Sequence, residues 1–198
     1  MEVKIHLNQA GYDVEDLTYH KNLSSNLKER LRKLDSPTAL LIRTRADRIC
    51  VNKNGDTFML EAKTHASKIY RDCTIELLPL AHHISVYHDF KVKCMYVYRN
   101  DNFSNIKHGF YAEDAPNMVD KIFIPSRYQH MEKFFRNLAA RFFPLAKIIN
   151  IHKPTHHSQN IGSGDPFVTI PHEIIHKVKS FEQLLERHIN TSNLKIAS

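Results

Sequence analysis

The amino-acid sequence predicts an α/β domain in which a small mixed β-sheet is flanked by helices. Leucines recur at i, i+4 and i+7 within residues 25–34, as one face of a helix requires. Two strand-like runs flank Asn54-Gly55, which is a strong hairpin signal. The predicted elements follow one another as helix, three strands, helix, two strands and helix, an order typical of an α/β domain.

Each element can be placed along the chain from its pattern. The helix at 25–34 begins at a serine cap and ends at Asp35-Ser36-Pro37, because proline cannot continue a helix. Residues 127–143 carry apolar side chains at helical spacing, which predicts an amphipathic helix. The other predicted strands are at 3–7, 38–42, 49–52, 57–63, 92–98 and 121–124, those at 49–52 and 57–63 forming the hairpin. The other predicted helical segments are 67–88, which is mostly helical and interrupted at Pro79, and a final helix at 171–189. Loops are predicted at 99–120, which is polar, and at 152–165.

Length and composition indicate one domain. The chain has 198 residues, of which 42% are hydrophobic, enough for a sizeable core. We divide it into a core of residues 1–150 and a C-terminal loop and helix, residues 151–198, that pack on this core. No apolar run reaches the roughly 18 residues of a membrane span, and the charged N-terminus lacks the apolar segment of a secretory signal. The protein is therefore expected to be soluble and cytoplasmic, without a membrane partner.

Positive charge exceeds negative charge in this chain. The formal net charge is +7 and the pI is near 9.3, which favours a polyanionic partner such as nucleic acid. Within residues 126–154, six Lys and Arg side chains accompany a single acid. Lys133, Arg136 and Arg141 of the predicted helix are therefore candidates for contacts with nucleic-acid phosphates, although a basic face of this kind can also be simply solvated.

The cysteines give no sign of a disulfide framework or a zinc site. Cys50, Cys73 and Cys94 are odd in number, far apart in sequence and free of any CxxC pair. Such cysteines are usually reduced residues of the core. We therefore expect all three to be free and buried.

The residues that carry chemistry lie around the predicted hairpin. Asp47 begins its first strand, and Glu61-Ala62-Lys63 ends the returning strand. Because side chains alternate along a strand, Glu61 and Lys63 point to the same face, and the hairpin brings Asp47 back beside them. Two carboxylates that close repel each other unless a cation lies between them, and hard oxygen ligands suit Mg²⁺ or Mn²⁺. Such a metal can activate water and offset charge on a phosphodiester.

This arrangement resembles the PD-(D/E)xK, or restriction-endonuclease-like, nuclease superfamily. The superfamily core is a helix, a strand, a hairpin carrying Asp and Glu-x-Lys, a second helix and a further strand, which is the order predicted for residues 25–98. The resemblance implies a nuclease that hydrolyses DNA phosphodiester bonds with metal-activated water, RNA being the other substrate class. It implies that Asp47 and Glu61 bind Mg²⁺ or Mn²⁺ and that Lys63 orients or deprotonates the attacking water. The proline that usually precedes the Asp is Ala46 here.

The role of Lys63 depends on the charges around it. Two neighbouring carboxylates raise the pKa of a lysine and keep it protonated, which makes it a poor base. Bound metal cations reverse that local field, so a base role requires the loaded site. Otherwise Lys63 positions water and stabilises negative charge in the transition state. The superfamily often takes a further metal ligand from the first helix, but Glu15, His20 and Glu29 are left unassigned.

The hairpin register decides whether Asp47 can share a face with Glu61. A two-residue Asn54-Gly55 turn would place Asp47 opposite Ala62, on the other face. One extra residue resolves this conflict, either as a bulge or kink near Asp47 or as a three-residue turn with Gly55 at positive φ. We favour the kink, because it keeps four apolar side chains paired on one face, namely those of Ile49, Val51, Phe58 and Leu60.

Two other function classes remain open. His172-Glu173-Ile174-Ile175-His176 matches the HExxH pattern of a zinc metalloprotease, in which two histidines bind zinc and the Glu serves as base. Few residues follow it to supply a third ligand, so a terminal helix that packs Ile174 and Ile175 inward is the plainer explanation. The other class is a non-catalytic nucleic-acid-binding module whose hairpin charges are incidental. The oligomeric state stays open, a homodimer included.

Overall fold

The three-dimensional structure is a computed structural model. It describes residues 2–17, 26, 44, 46–64, 73–99, 106–151, 165–175, 183–186 and 188. The helix predicted at 25–34 lies outside these residues, apart from the helical Asn26, and so do the strand predicted at 38–42 and most of the loop predicted at 152–165.

The described segments form an α/β fold with two mixed β-sheets and flanking helices, which confirms the predicted class. Two short 3-10 helices, Ala112–Asn117 and Ser126–Met131, complete the set of elements. The helices and strands in chain order are α1 (Glu2–Gln9), β1 (Tyr12–Asp16), β2 (Arg48–Asn52), β3 (Thr57–Thr64), β4 (Cys73–Glu76), α2 (Leu77–Phe90), β5 (Lys93–Arg99), β6 (Ile106–Tyr111), β7 (Lys121–Pro125), α3 (Glu132–Phe142), β8 (Lys147–Ile151), β9 (Phe167–Ile170) and α4 (His172–Ile175).

The first sheet has the strand order β1-β2-β3-β5-β6 and holds the hairpin near its centre. β1, β2 and β3 pair antiparallel to one another, whereas β5 runs parallel to β3. Parallel neighbours need a crossover connection, and α2 lies within the one between β3 and β5. The carboxyl ends of β3 and β5 therefore lie side by side, where Thr64 pairs with Arg99.

The second sheet has the strand order β4-β9-β7-β8. β9 pairs antiparallel with both of its neighbours, and β7 runs parallel to β8. β4 is thus an edge strand whose partner, β9, comes from the last third of the chain. The pairing runs from Cys73 opposite Ile170 to Glu76 opposite Phe167. The division of the chain at residue 150 stays a prediction.

Buried clusters cover both faces of the first sheet. On one face, Cys94, Tyr96 and Tyr98 of β5 belong to a large cluster that also includes side chains of α2, α3 and the second sheet. Because both faces are covered, the central strands are apolar along most of their length. The cluster on the other face consists of Leu7, Tyr12, Cys50, Phe58, Leu60, Met95, Val97, Tyr111, Leu184 and Leu185.

β6 lies against β5 at a distance that only glycine allows. A Cβ atom built on Gly109 would be 2.8 Å from the carbonyl oxygen of Tyr96 and 2.8 Å from Cδ1 of Leu184. Real Cβ atoms do not approach other atoms this closely, and the carbonyl oxygen belongs to paired backbone that cannot turn aside. The hydroxyl of Tyr111 also donates a hydrogen bond to the carbonyl oxygen of Leu184 at 2.9 Å, so the C-terminal segment is held against the sheet.

Two predicted elements have a different structure. Residues 3–7, predicted as a strand, lie in α1. Residues 73–76, predicted as part of a helix, form β4, and α2 begins only at Leu77. Pro79 does not interrupt this helix, because it lies in the first turn, where backbone N–H groups have no partner inside the helix.

Four strands come from segments where none was predicted. The predicted polar loop at 99–120 contains β6 and a 3-10 helix, and β1, β8 and β9 were also missed. The predicted helix at 127–143 is a 3-10 helix followed by α3. The strands predicted at 92–98 and 121–124 are confirmed within a residue as β5 and β7. The three cysteines are free and buried, as predicted. Within the described residues, every helix is too short or too polar to span a bilayer.

Candidate active site

The hairpin between β2 and β3 closes with a three-residue turn. Asn52 Oδ1 accepts hydrogen bonds from the backbone N–H groups of Asn54 and Asp56, both at 2.9 Å, and Gly55 has a φ of 78°. Only glycine adopts such a positive φ without strain. The extra residue therefore lies in the turn, the other of the two alternatives drawn from the sequence. The chain also bends at Asp47, directly before β2 begins, as the favoured alternative expects.

The ladder between β2 and β3 is regular. It pairs Val51 with Thr57, Cys50 with Phe58, Ile49 with Met59 and Arg48 with Leu60. Cys50, Phe58 and Leu60 are buried together, whereas Ile49 and Val51 are half-buried on the opposite face, so the predicted apolar pairing was wrong. The ladder ends at the pair Arg48 and Leu60, and the chain bends at Asp47. The position of Asp47 beside Glu61 is therefore given by its hydrogen bonds to the end of β3 and not by ladder pairing.

Two hydrogen bonds link Asp47 with the end of β3. The backbone N–H of Asp47 donates to Oε2 of Glu61 at 3.1 Å, and the backbone N–H of Ala62 donates to Oδ2 of Asp47 at 2.9 Å. The carbonyl oxygen of Asp47 accepts a third bond from the N–H of Leu17 at 2.8 Å, which fixes this residue to the chain after β1. In the described part of the chain no group donates to Oδ1 of Asp47, so that oxygen can still take a ligand.

Glu61 is a buried acid, with only 6% of its surface exposed. Burial raises the pKa of Glu61 from 4.5 to about 7; the ammonium of Lys63 acts against this rise, and the carboxylate of Asp47 adds to it. The positive charge of Lys63 therefore does not offset the full cost of burying a charged Glu61. A cation between Glu61 and Asp47 would favour the charged form of both acids.

Lys63 lies between two acids. Its Nζ is 2.7 Å from Oε1 of Glu61 and 2.9 Å from Oε2 of Glu76. Burial lowers the pKa of Lys63, but the charges of Glu76 and Glu61 and their hydrogen bonds raise it by more, so the net shift of the pKa is upward. A protonated Lys63 agrees with the sequence-based expectation, although the second acid in contact with it is Glu76 rather than Asp47.

Sequence reasoning missed Glu76. It follows directly on a buried Cys73 and Ile75, a two-residue alternation that is the signal of a strand ending in a polar side chain. This signal lies within the mostly helical segment that the sequence predicts at 67–88. Glu76 in fact ends β4, from where its side chain reaches across to the first sheet.

A neutral layer lies beneath the acids. Tyr96 pairs with Glu61 across the parallel strands, and its hydroxyl is 2.7 Å from Nδ1 of His83 of α2. Burial disfavours the charged form of both side chains: it lowers the pKa of His83 to about 3 and raises the pKa of Tyr96. Both side chains are therefore uncharged at neutral pH. They fix the wall of the site without adding a charge to it.

Asp47 and Glu61 fit the needs of a hard divalent cation. Within the described residues, no group of three or more His, Cys, Asp or Glu side chains is arranged to hold a metal. Mg²⁺ is commonly bound by one or two carboxylates, with water and substrate phosphate oxygens completing its shell. Glu61, which is buried with a raised pKa, and Asp47, whose Oδ1 accepts no hydrogen bond from the described residues, are two adjacent carboxylates of this kind. Glu15 is exposed on β1, and Glu29 and His20 lie outside the described residues.

The predicted nucleic-acid contacts all lie on α3. Lys133, Arg136 and Arg141 are exposed, as a contact surface for phosphates requires. Arg136 forms an ion pair with Glu132 at 2.8 Å, and the guanidinium of Arg141 lies 5.0 Å from the ring centre of Phe142. Their role in binding stays a prediction.

The HExxH segment is only partly described. His172–Ile175 form α4, with Glu173 exposed, and His176 lies outside the described residues. Ile174 packs against the larger core cluster, as the plainer explanation of this segment expects. A zinc site at this segment therefore stays an untested alternative.

Comparison with known proteins gives one structural neighbour to report. No family model matches the chain, and neither does any curated protein. Among solved structures, the fold is similar to that of Hjc, a Holliday junction resolvase from the archaeal hyperthermophile Archaeoglobus fulgidus. The superposition has a TM-score of 0.45 and 7% sequence identity, and it covers 94% of this chain and 95% of that chain.

Proposed function

We propose that the chain is a metal-dependent nuclease that hydrolyses phosphodiester bonds of DNA. One observation carries this proposal: hydrogen bonds hold Asp47 beside Glu61 at the end of β3, with the ammonium of Lys63 2.7 Å from Glu61. Two acids and a lysine at the end of a central hairpin supply both ligands for a divalent metal and a positive group for a phosphate. The proposal rests on these side chains and not on a likeness to any solved structure.

Asp47 and Glu61 are the residues that hold Mg²⁺ or Mn²⁺ in this proposal. When bound, such a metal lowers the pKa of water and polarises a phosphoryl oxygen. The backbone N–H of Asp47 orients one oxygen of Glu61, and the backbone N–H of Ala62 orients one oxygen of Asp47. One oxygen of each carboxylate is thus held by a backbone group, and the other oxygen of Glu61 contacts Lys63.

Lys63 acts as an ammonium in this proposal. Its pKa is raised, so in the metal-free protein it donates hydrogen bonds and does not take up a proton. An ammonium beside the two acids can donate to the attacking water or to a phosphate oxygen. It stabilises the negative charge that develops on the phosphate in the transition state.

DNA is the proposed substrate because the chain carries a formal net charge of +7 and presents Lys133, Arg136 and Arg141 on one exposed helix. Contacts of these groups with phosphates release counterions, so binding is expected to weaken as the salt concentration rises. Phosphate contacts carry no sequence information, and RNA remains the alternative polyanion.

The proposal is tested by incubating the purified protein with labelled single-stranded, duplex and branched DNA in Mg²⁺, Mn²⁺ or EDTA. Cleavage is expected with either metal and not with EDTA. Asp47→Asn, Glu61→Gln and Lys63→Ala are each expected to reduce the rate at least about 100-fold. Glu15→Gln and Lys53→Ala, which change an exposed acid of β1 and an exposed lysine of the hairpin turn, are matched controls that should keep the wild-type rate.

The controls also separate the proposal from the two alternative classes. DNA binding without cleavage of any substrate would favour a non-catalytic binding module. Cleavage that survives in Asp47→Asn and Glu61→Gln would place the active site elsewhere in the chain. Stoichiometric zinc that disappears in His172→Ala would favour the metalloprotease.

A further inference from the structure

We infer that Glu76 is a positioning residue for Lys63, an inference that rests on the nuclease function proposed above. Glu76 comes from the second sheet, whereas Glu61 and Lys63 come from the first. The ion pair between Lys63 and Glu76, at 2.9 Å, therefore connects the two sheets at the site.

The backbone of Glu76 is held firmly. It pairs with Phe167 of β9, and the N–H of the following residue, Leu77, donates to the carbonyl oxygen of Pro166 at 2.8 Å. Glu76 also occupies the N-cap position of α2, where a short polar side chain commonly accepts a hydrogen bond from the helix. Its side chain makes no such cap and binds Lys63 instead. The carboxylate of Glu76 is thus directed at Lys63 and not used by its own helix.

Glu61 alone would not hold Lys63 once it binds a metal. In the metal-free site, Glu61 and Glu76 share the ammonium. A divalent cation held by Glu61 would offset the charge that attracts Lys63 and would repel its ammonium. Lysine is a point charge on a flexible stem of four carbons, so without another partner it would move away. Glu76 is the partner that would remain, and it would keep Nζ at the site.

The geometry does not make Glu76 a metal ligand. The Nζ of Lys63 contacts both Glu61 and Glu76, so the ammonium occupies the space between these two acids. Among the described residues, no set of three acids or histidines is arranged around a common point. Loss of Glu76 should therefore leave the affinity for metal unchanged and impair the step in which Lys63 acts.

The test compares Glu76→Ala and Glu76→Gln, with Asp89→Ala as a control that removes an exposed acid from the far end of α2. At saturating Mg²⁺ and DNA, Glu76→Ala is expected to lower kcat about 100-fold with KM unchanged, because a small displacement of a catalytic group has this effect. Glu76→Gln keeps an oxygen that accepts from the ammonium, so its loss should be about tenfold. Titration with Mn²⁺, followed by electron paramagnetic resonance, should give the wild-type affinity for every variant.

A double-mutant cycle identifies the path of the effect. In a Lys63→Ala background, removal of Glu76 should cause no further loss of activity, and urea unfolding without metal should show coupling between the two positions. Wild-type kcat in Glu76→Ala, or additive effects on unfolding, would overturn the inference. Weakened Mn²⁺ binding in Glu76→Ala would make Glu76 a metal ligand. A wild-type protein that cleaves no DNA would instead refute the proposed function, while the unfolding cycle would still report on the contact.

Discussion

Replacing Glu61 with glutamine is expected to stabilise the metal-free protein at alkaline pH. Burial raises the pKa of Glu61 from 4.5 to about 7, so the folded protein binds this proton more tightly than the unfolded chain does. The resulting stabilisation is complete below a pH of about 4.5 and is lost as the pH rises through about 7. Glutamine resembles the protonated carboxyl in shape and does not ionise in this range. The variant therefore keeps this stabilisation at alkaline pH.

The size of the effect follows from the pKa. The difference between 4.5 and about 7 corresponds to roughly 3 kcal/mol of unfolding free energy once Glu61 is fully ionised. At pH 8.5 the variant should therefore exceed the wild type by roughly 3 kcal/mol. At pH 5 the folded carboxyl is still protonated, and the advantage should be under about 1 kcal/mol. Solvent screening reduces these values little, because Glu61 is only 6% exposed.

Urea unfolding followed by circular dichroism, in EDTA at both pH values, measures this difference. Glu15→Gln is the matched control, since it removes an exposed acid from β1 and should be neutral at both pH values. Adding Mn²⁺ at pH 8.5 should stabilise the wild type and not Glu61→Gln, because only the wild type has both ligands. A variant that is no more stable than the wild type at pH 8.5 in EDTA would refute the reasoning.

Three further outcomes are expected. At limiting Mg²⁺, the rate of cleavage should fall about tenfold per pH unit below pH 7, because protonated Glu61 is a poor metal ligand. A rate that does not depend on pH between 5.5 and 7.5 would contradict this prediction. Replacing Lys133 and Arg136 with Glu should weaken DNA binding and reduce the dependence of the affinity on salt concentration. Lys53→Glu in the hairpin turn is the control and should change neither. An unchanged dependence on salt in the Lys133 and Arg136 variant would place the binding surface elsewhere. Gly109→Ala should lower the free energy of unfolding by at least about 1–3 kcal/mol in urea, because its Cβ would overlap backbone; a neutral effect would mean that β6 can shift away from β5.

The hairpin of β2 and β3 could be predicted from sequence because its signals are local. The Asn-Gly turn and the apolar runs beside it lie within about twenty residues, and the strands predicted from them match β2 and β3 within a residue. Its register could not be predicted in the same way. Ile49-Cys50-Val51 is apolar throughout, so either register buries an apolar face. The choice is made by the side chain of Asn52, which accepts two backbone hydrogen bonds and stabilises the longer turn.

Glu76 was missed for a different reason. β4 has only four residues, and what makes it a strand is its pairing with β9, not a strong local pattern. The segment that follows has a continuous helical pattern, and this signal was extended backwards over β4. The same limit applies to β8 and β9, which are short and become strands by pairing within the second sheet. Tertiary pairing of this kind overrides local propensity.

The pairing of β4 with β9 also sets an order of assembly during synthesis on the ribosome. Asp47, Glu61 and Lys63 lie in or beside a hairpin whose contacts are close in sequence, so its pairing does not depend on the C-terminal strands. Glu76 must wait for Phe167, about 90 residues later, because a lone four-residue strand has no stable pairing. A nascent or truncated chain that ends before β9 thus contains the two acids and the lysine without the strand partner that holds Glu76 against Lys63. The contact between Glu76 and Lys63 can therefore be completed only after the C-terminal third of the chain has been translated.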